Sequence, residues 1–137
     1  MSQYMLLVYD EEVDAAEQAE REQITPMLLE LHASLREAGL LVDVHRLHST
    51  ESATSVRVRG GETEITDGPF AVTKEVLAGY YVLECADLDE ALKHAERLPM
   101  APWATIEVRP VMPAAEWLNT ARRAGVDLSD EDVRHLA

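Results

Sequence analysis

The ten residues from Val76 to Cys85 hold one charged side chain, Glu84, and are otherwise apolar or aromatic on both alternating faces. Successive residues of a strand point to opposite sides of a sheet. Leu77, Gly79, Tyr81, Leu83 and Cys85 therefore share one face, and Val76, Ala78, Tyr80 and Val82 share the other. A strand of this kind needs cover on both sides. Whatever fold the chain adopts must supply one covering layer from its own helices and a second from somewhere else.

The flanking segments supply the helices. Tyr4 to Tyr9 is an apolar run of strand length, and Leu40 to Leu47 reads as a second strand. Between them Ile24, Met27, Leu28, Leu31, Leu35 and Ala38 form one helical stripe, with Gly39 placed to end it. The spacing predicts helix from about Asp14 to Ala38, bent or broken near Gln23–Pro26. Pro26 either kinks a continuous helix or starts a new one capped by Thr25. Asp87 and Glu90 form a capping box for a second helix, whose stripe is Leu88, Ala91, Leu92, Ala95 and Leu98. His94 falls on its outward side and is expected at the surface. Thr105 to Arg109 is the last strand.

Gly60-Gly61 marks a two-residue hairpin between Thr54–Arg59 and Glu62–Thr66. Its register pairs Arg59 with Glu62, Val58 with Thr63, Arg57 with Glu64 and Val56 with Ile65. Opposite charges then meet on one face and apolar side chains on the other. The element order is strand, helix, strand, hairpin, strand, helix, strand. That order predicts an α+β, ferredoxin-like sandwich with an inserted β-hairpin and both main helices on one face of an antiparallel sheet. The apolar face left over is expected to pack against a second copy of the chain, sheet on sheet, as an obligate homodimer. Residues 1–112 are taken as the domain. Residues 113–137 are a C-terminal helical extension packing on it, with Trp117, Ala121 and Ala124 on one face.

The segment before the central strand is Thr66-Asp67-Gly68-Pro69-Phe70-Ala71-Val72-Thr73-Lys74-Glu75. Gly68 is free to take positive φ, and Pro69 fixes its own φ and steers Gly68 away from the helical region. With Gly79-Tyr80-Tyr81 and Ile106-Glu107-Val108-Arg109-Pro110-Val111, this loop resembles the DGPF branch of the YciI-related (YCII) family. The resemblance runs from about Met5 to Val111. It implies a dimeric α+β barrel, and a site in a cleft near the interface. The residues it points to are Asp67 as a catalytic carboxylate and Lys74, Glu75, Tyr80 and Arg109 as ligand-binding groups. Two features depart from the family pattern: Val72 stands where an acid is usual, and the early helix lacks the histidine that partners an aspartate in members nearer YciI. The resemblance also implies a second role, because DGPF proteins are often encoded beside alternative sigma factors. On that reading the chain is a regulatory, partner-binding module without chemistry.

Each residue has a plainer reading. Asp67 before Gly-Pro accepts backbone hydrogen bonds in its own turn in most proteins. Lys74 and Glu75 suit a solvated strand end, Tyr80 suits a core or interface, and Arg109 suits a surface ion pair.

The chain has 137 residues and a formal net charge of -14, with seven acids between Asp10 and Glu22 alone. Such a chain lacks the basic footprint that nucleic acid or an anionic membrane surface requires, so neither is an expected partner. No apolar run approaches the ~20 residues of a membrane span, and the N-terminus enters a strand at once, so a cytoplasmic location is expected. Cys85 is the only cysteine. The five histidines are scattered, and no phosphate loop, nucleophile elbow or metal motif occurs. No cofactor and no metal are expected, and the expected ligand is a small molecule.

Overall fold

The computed structural model describes residues 1–136. Ala137, the last residue of the predicted extension, lies outside them. Six strands form two separate sheets. β1 (Ser2–Glu11), β2 (Leu41–Arg46), β5 (Glu75–Cys85) and β6 (Thr105–Pro110) make a four-stranded antiparallel sheet in the order β2-β5-β1-β6. β3 (Thr54–Arg59) and β4 (Glu62–Asp67) pair only with each other. The chain is thus α+β, and its strand order is compatible with the ferredoxin-like plan.

The predicted long helix is broken. Ala15–Arg21 is α1, Glu22–Ile24 is a single 3₁₀ turn, and Thr25–Glu37 is α2. Asp14 caps α1 by accepting from the Glu17 N–H at 2.8 Å. Pro26 sits in the first turn of α2, where its missing N–H costs nothing. Thr25 does not cap: its hydroxyl donates backwards to the Glu22 carbonyl at 2.6 Å. The second main helix, α3 (Leu88–Glu96), has its capping box, with the Glu90 N–H donating to Asp87 at 2.9 Å.

The core lies between these helices and one face of the sheet. Leu6, Val8, Tyr81, Leu83 and Cys85 from β1 and β5 meet Leu35 of α2 and Ala91, Ala95 and Leu98 at α3 and its end. Tyr4 pairs with Leu83 and Leu6 with Tyr81, so every sheet residue in this cluster points the same way. Both main helices therefore share one face, as predicted.

Parts of the predicted stripes are not buried. Leu88 and Leu92 of α3 and Met27 of α2 are exposed. The sheet under each helix is only four strands wide, and a helix rotated to bury small alanines turns its leucines outward. His94 departs from expectation in the other direction: its Nε2 is buried without a hydrogen-bond partner, 3.7 Å from Glu90.

The alternation of β5 is also interrupted. Val8 pairs with Gly79 but Tyr9 pairs with Leu77, so Ala78 is the extra residue of a β-bulge. Below the bulge the faces exchange. Leu77 joins Tyr80 and Val82 on the outer face, and Val76, opposite Asp10, turns to the helix side. A second register shift, at Val42, sends Asp43 and His45 outward and Val44 and Arg46 inward.

The hairpin has the predicted register, pair for pair. Its apolar face is bare: Val56, Val58 and Ile65 are exposed, and in the loop that follows Phe70 is 82% and Val72 99% exposed. The C-terminal segment forms α4 (Ala114–Arg123) and α5 (Asp130–Leu136). Leu118 of α4 is only 1% exposed. The buried residue of α4 is Leu118, and Trp117 is exposed. Leu118 and Val82 are buried apart from the helix-side core. No helix among the described residues is long and apolar enough to cross a membrane.

Candidate functional site

The sequence singles out five residues, and the fold scatters them. Asp67 ends β4 on the separate hairpin and is exposed. Among the described residues nothing hydrogen-bonds to its carboxylate. The turn is closed instead by the Gly68 N–H, which donates to the Ala53 carbonyl at 2.8 Å, and by Ser55, which donates to the Gly68 carbonyl at 2.8 Å. Gly68 has φ +96°, as expected for Asp-Gly-Pro. Lys74 pairs with Glu11 at 3.3 Å, and Glu75 accepts from the Thr105 hydroxyl at 3.2 Å. Arg109 is four residues further along β6, about 13 Å away at ~3.3 Å per residue. It faces outward opposite Met5.

Tyr80 belongs to a small polar cluster on the outer face. Its hydroxyl donates to Asp43 at 3.0 Å, and His45 Nε2 lies 3.0 Å from the other carboxylate oxygen. Both the bond to Asp43 and the nearby negative charge hold the Tyr80 phenol above its ordinary pKa, the bond having the larger effect.

One cavity that the fold builds lies between α1–α2 and the helix side of the sheet, beside a larger and more polar one that shares Asp10, Gln18, Glu22, Arg46 and Ala78 with it. The first measures about 430 Å³. Ligand pockets of small proteins typically fall in the range of about 300–1,000 Å³ with apolar walls and few polar groups. Val8, Leu28, Val44, Met100 and Trp103 provide apolar walls. Gly79 forms part of the floor, where β5 passes so close to β2 that a Cβ would stand 2.5 Å from the His45 carbonyl oxygen. The stripe of α2 serves both core and cavity. Leu35 reaches the core, while Ile24 and Leu28, earlier on the same stripe, line the cavity.

Ionisable residues in the lining include Tyr81, His32, Asp10, Arg21, Glu22 and Arg46. Tyr81 and His32 share a hydrogen bond of 2.8 Å, with the rings edge to face at 5.3 Å. Burial pushes the Tyr81 phenol up to about 12. Burial, with help from the nearby Arg36 charge, pushes the His32 imidazole below its ordinary value. Both are neutral near pH 7. Asp10 enters from β1, and burial raises its pKa despite the opposing fields of Arg21 and Arg46. Arg21 lies over the Trp103 ring, 5.5 Å from its centroid, and pairs with Glu17 at 3.3 Å. Arg46 pairs with Glu22 at 3.4 Å.

Of the predicted residues only Tyr80 touches this cavity. Asp10, His32 and Tyr81 were not singled out. The signal for Tyr81 was present, since it shares the apolar face of β5. His32 could have been found from its place one residue after Leu31 of the helical stripe. Among the described residues no cluster of His, Cys, Asp and Glu is arranged to hold a metal ion.

An antiparallel sheet covered by helices on one face, with a mostly apolar cavity under the first helix pair, defines a small α+β class of protein. The chain belongs to the YCII-related domain family, whose model matches residues 2–115. A protein of Rhizobium meliloti (strain 1021), described as uncharacterized, is 42% identical over 112 residues, covering 79% of this chain and 90% of that relative.

Proposed function

We propose that this chain binds, and through His32 and Tyr81 acts on, a small molecule held in the cavity between α1–α2 and the sheet. The observation that carries this reading is the meeting of a neutral His–Tyr pair and a carboxylate in a space with mostly apolar walls. A neutral imidazole beside a protonated phenol is suited to take a proton and return one. The cavity takes the place of the Asp67 loop as the favoured site, because Asp67, Lys74, Glu75 and Arg109 do not converge on a common space.

The test uses the fluorescent probe anilinonaphthalene sulfonate. Its enhancement should fall when Leu28→Trp fills the cavity and persist when Phe70→Ser removes the barest apolar side chain of the hairpin loop. The reverse pattern would overturn the reading.

A second reading is favoured by the bare hairpin. Val56, Val58, Ile65, Phe70 and Val72 are exposed together on a two-stranded unit, and isolated hairpins are marginal in water. This arm is a docking element, and the partner proposed for it is a second copy of the chain. Met5, Leu7, Leu77 and Tyr80 on the outer sheet face are only half-buried and complete the same association. The result would be a homodimeric α+β barrel.

A further inference from the structure

We propose that the cavity selects an amine: a ligand with an aromatic-sized apolar body and one ammonium group, which pairs with Asp10. The inference rests on the small-molecule reading and adds the charge and shape of the ligand.

Asp10 is the exception among the sheltered acids. Four carboxylates among the described residues are not fully exposed: Asp10, Asp43, Glu84 and Glu90. Asp43 accepts from Tyr80 and from the Val44 N–H, Glu84 from Gln3, and Glu90 from the Ala86 N–H. Asp10 has no hydrogen bond or ion pair to the described residues. Sheltered polar groups are nearly always partnered, and one that is not calls for an explanation. Here Asp10 lines the cavity, and the more polar one beside it, so solvent or a ligand can reach its carboxylate.

The two cations of the cavity act on Asp10 through their fields, but neither is bonded to it. Arg21 is held by Glu17, by the Glu11 carbonyl at 3.2 Å and by the Trp103 face. Arg46 is held by Glu22. With both guanidiniums matched to acids, the unmatched charge is negative, and an anionic ligand would meet it without a free cation to compensate. An ammonium would supply the missing partner at the place where burial already disfavours the ionised carboxylate. Trp103 and Leu28 give the apolar body its walls, and Tyr81 with His32 offers a donor and an acceptor to a polar group on it.

The experiment is calorimetric titration of the whole protein with three probes sharing one indole body: tryptamine, tryptophol and indolepropionate. Wild-type protein should bind tryptamine about tenfold more tightly than tryptophol, the advantage of a charged over a neutral hydrogen bond, and indolepropionate most weakly. Asp10→Asn should bring tryptamine down to the affinity of tryptophol and leave tryptophol unchanged. Leu28→Trp should weaken all three. If indolepropionate binds as well as tryptamine, or Asp10→Asn leaves tryptamine unaffected, the amine inference is overturned while the cavity reading survives. If none of the probes binds, or Leu28→Trp binds all three like wild type, the cavity reading falls and takes the inference with it.

Discussion

Tyr81 Oη and His32 Nε2 stand 2.8 Å apart, joining the central strand to the middle of α2 across the inner wall of the cavity. Burial keeps both rings neutral, so this contact depends on pH in a defined direction. The folded His32 has a lowered pKa, whereas the unfolded chain has the ordinary value of 6.5. Its contribution is complete above about 6.5 and is lost as pH falls through the depressed folded value. Thermal melting from pH 8 to pH 5 should show the decline in wild type and a shallower one in His32→Gln. Tyr81→Phe should cost about 1 kcal/mol near pH 7, the worth of the lost hydrogen bond.

Asp10 works against the fold. Its folded pKa is raised above 3.8, so its contribution to stability is complete below that value and lost as pH rises through the folded one. Near pH 7 the ionised carboxylate is a liability, softened by the solvent that still reaches it. Asp10→Asn should raise the Tm by about 1–2 °C at pH 7 after that discount, and by nothing at pH 3. An unchanged or lower Tm at pH 7 would contradict this account. A destabilising carboxylate at a cavity is the usual signature of a group kept for function.

Gly79 is held by sterics. A Cβ there would sit 2.5 Å from the His45 carbonyl oxygen, and that atom is backbone in the neighbouring strand. Gly79→Ala should cost roughly 1–3 kcal/mol by forcing β2 and β5 apart. Denaturant unfolding should show a lower midpoint with an unchanged slope.

The Asp67 loop separates two kinds of effect. Gly68→Ala places a side chain at φ +96° and should cost about 1 kcal/mol. Asp67→Ala removes no hydrogen bond and should melt within about 0.5 kcal/mol of wild type. A large loss in Asp67→Ala would mean that the carboxylate supports the turn after all.

The hairpin arm can be tested by sedimentation. Phe70→Ser combined with Val72→Ser should shift the protein toward monomer at micromolar concentration, with little change in the helical circular dichroism. If wild type already sediments as a monomer, the proposed homodimer is wrong.

The element order and the hairpin register were legible because each depends on local chemistry: Gly60-Gly61 for the turn, Asp87 and Glu90 for the helix start, and the long apolar run of β5. The cavity was not legible. It lies along α2, where Leu35 is buried in the core and Leu28 lines the cavity, although both sit on one stripe. Nothing in a helical period tells the two apart. The bulge at Ala78 was hidden for a related reason. Val76 and Leu77 are both apolar, so the exchange of faces leaves no mark on the pattern. Asp67 stands out because Asp-Gly-Pro announces a turn clearly, and that signal says little about chemistry.

The lone thiol of Cys85 is fully buried against the α3 side of the core, and its pKa is raised to about 11. In the native state it is neither accessible nor ionised at neutral pH, and the thiolate is the reactive form. A disulfide reagent can therefore reach it only when the end of β5 and α3 part. The rate of labelling becomes a clock for that opening, with no engineered probe and no competing thiol in the chain. Run with and without ligand, it would report whether filling the cavity under α2 tightens the opposite end of the same sheet.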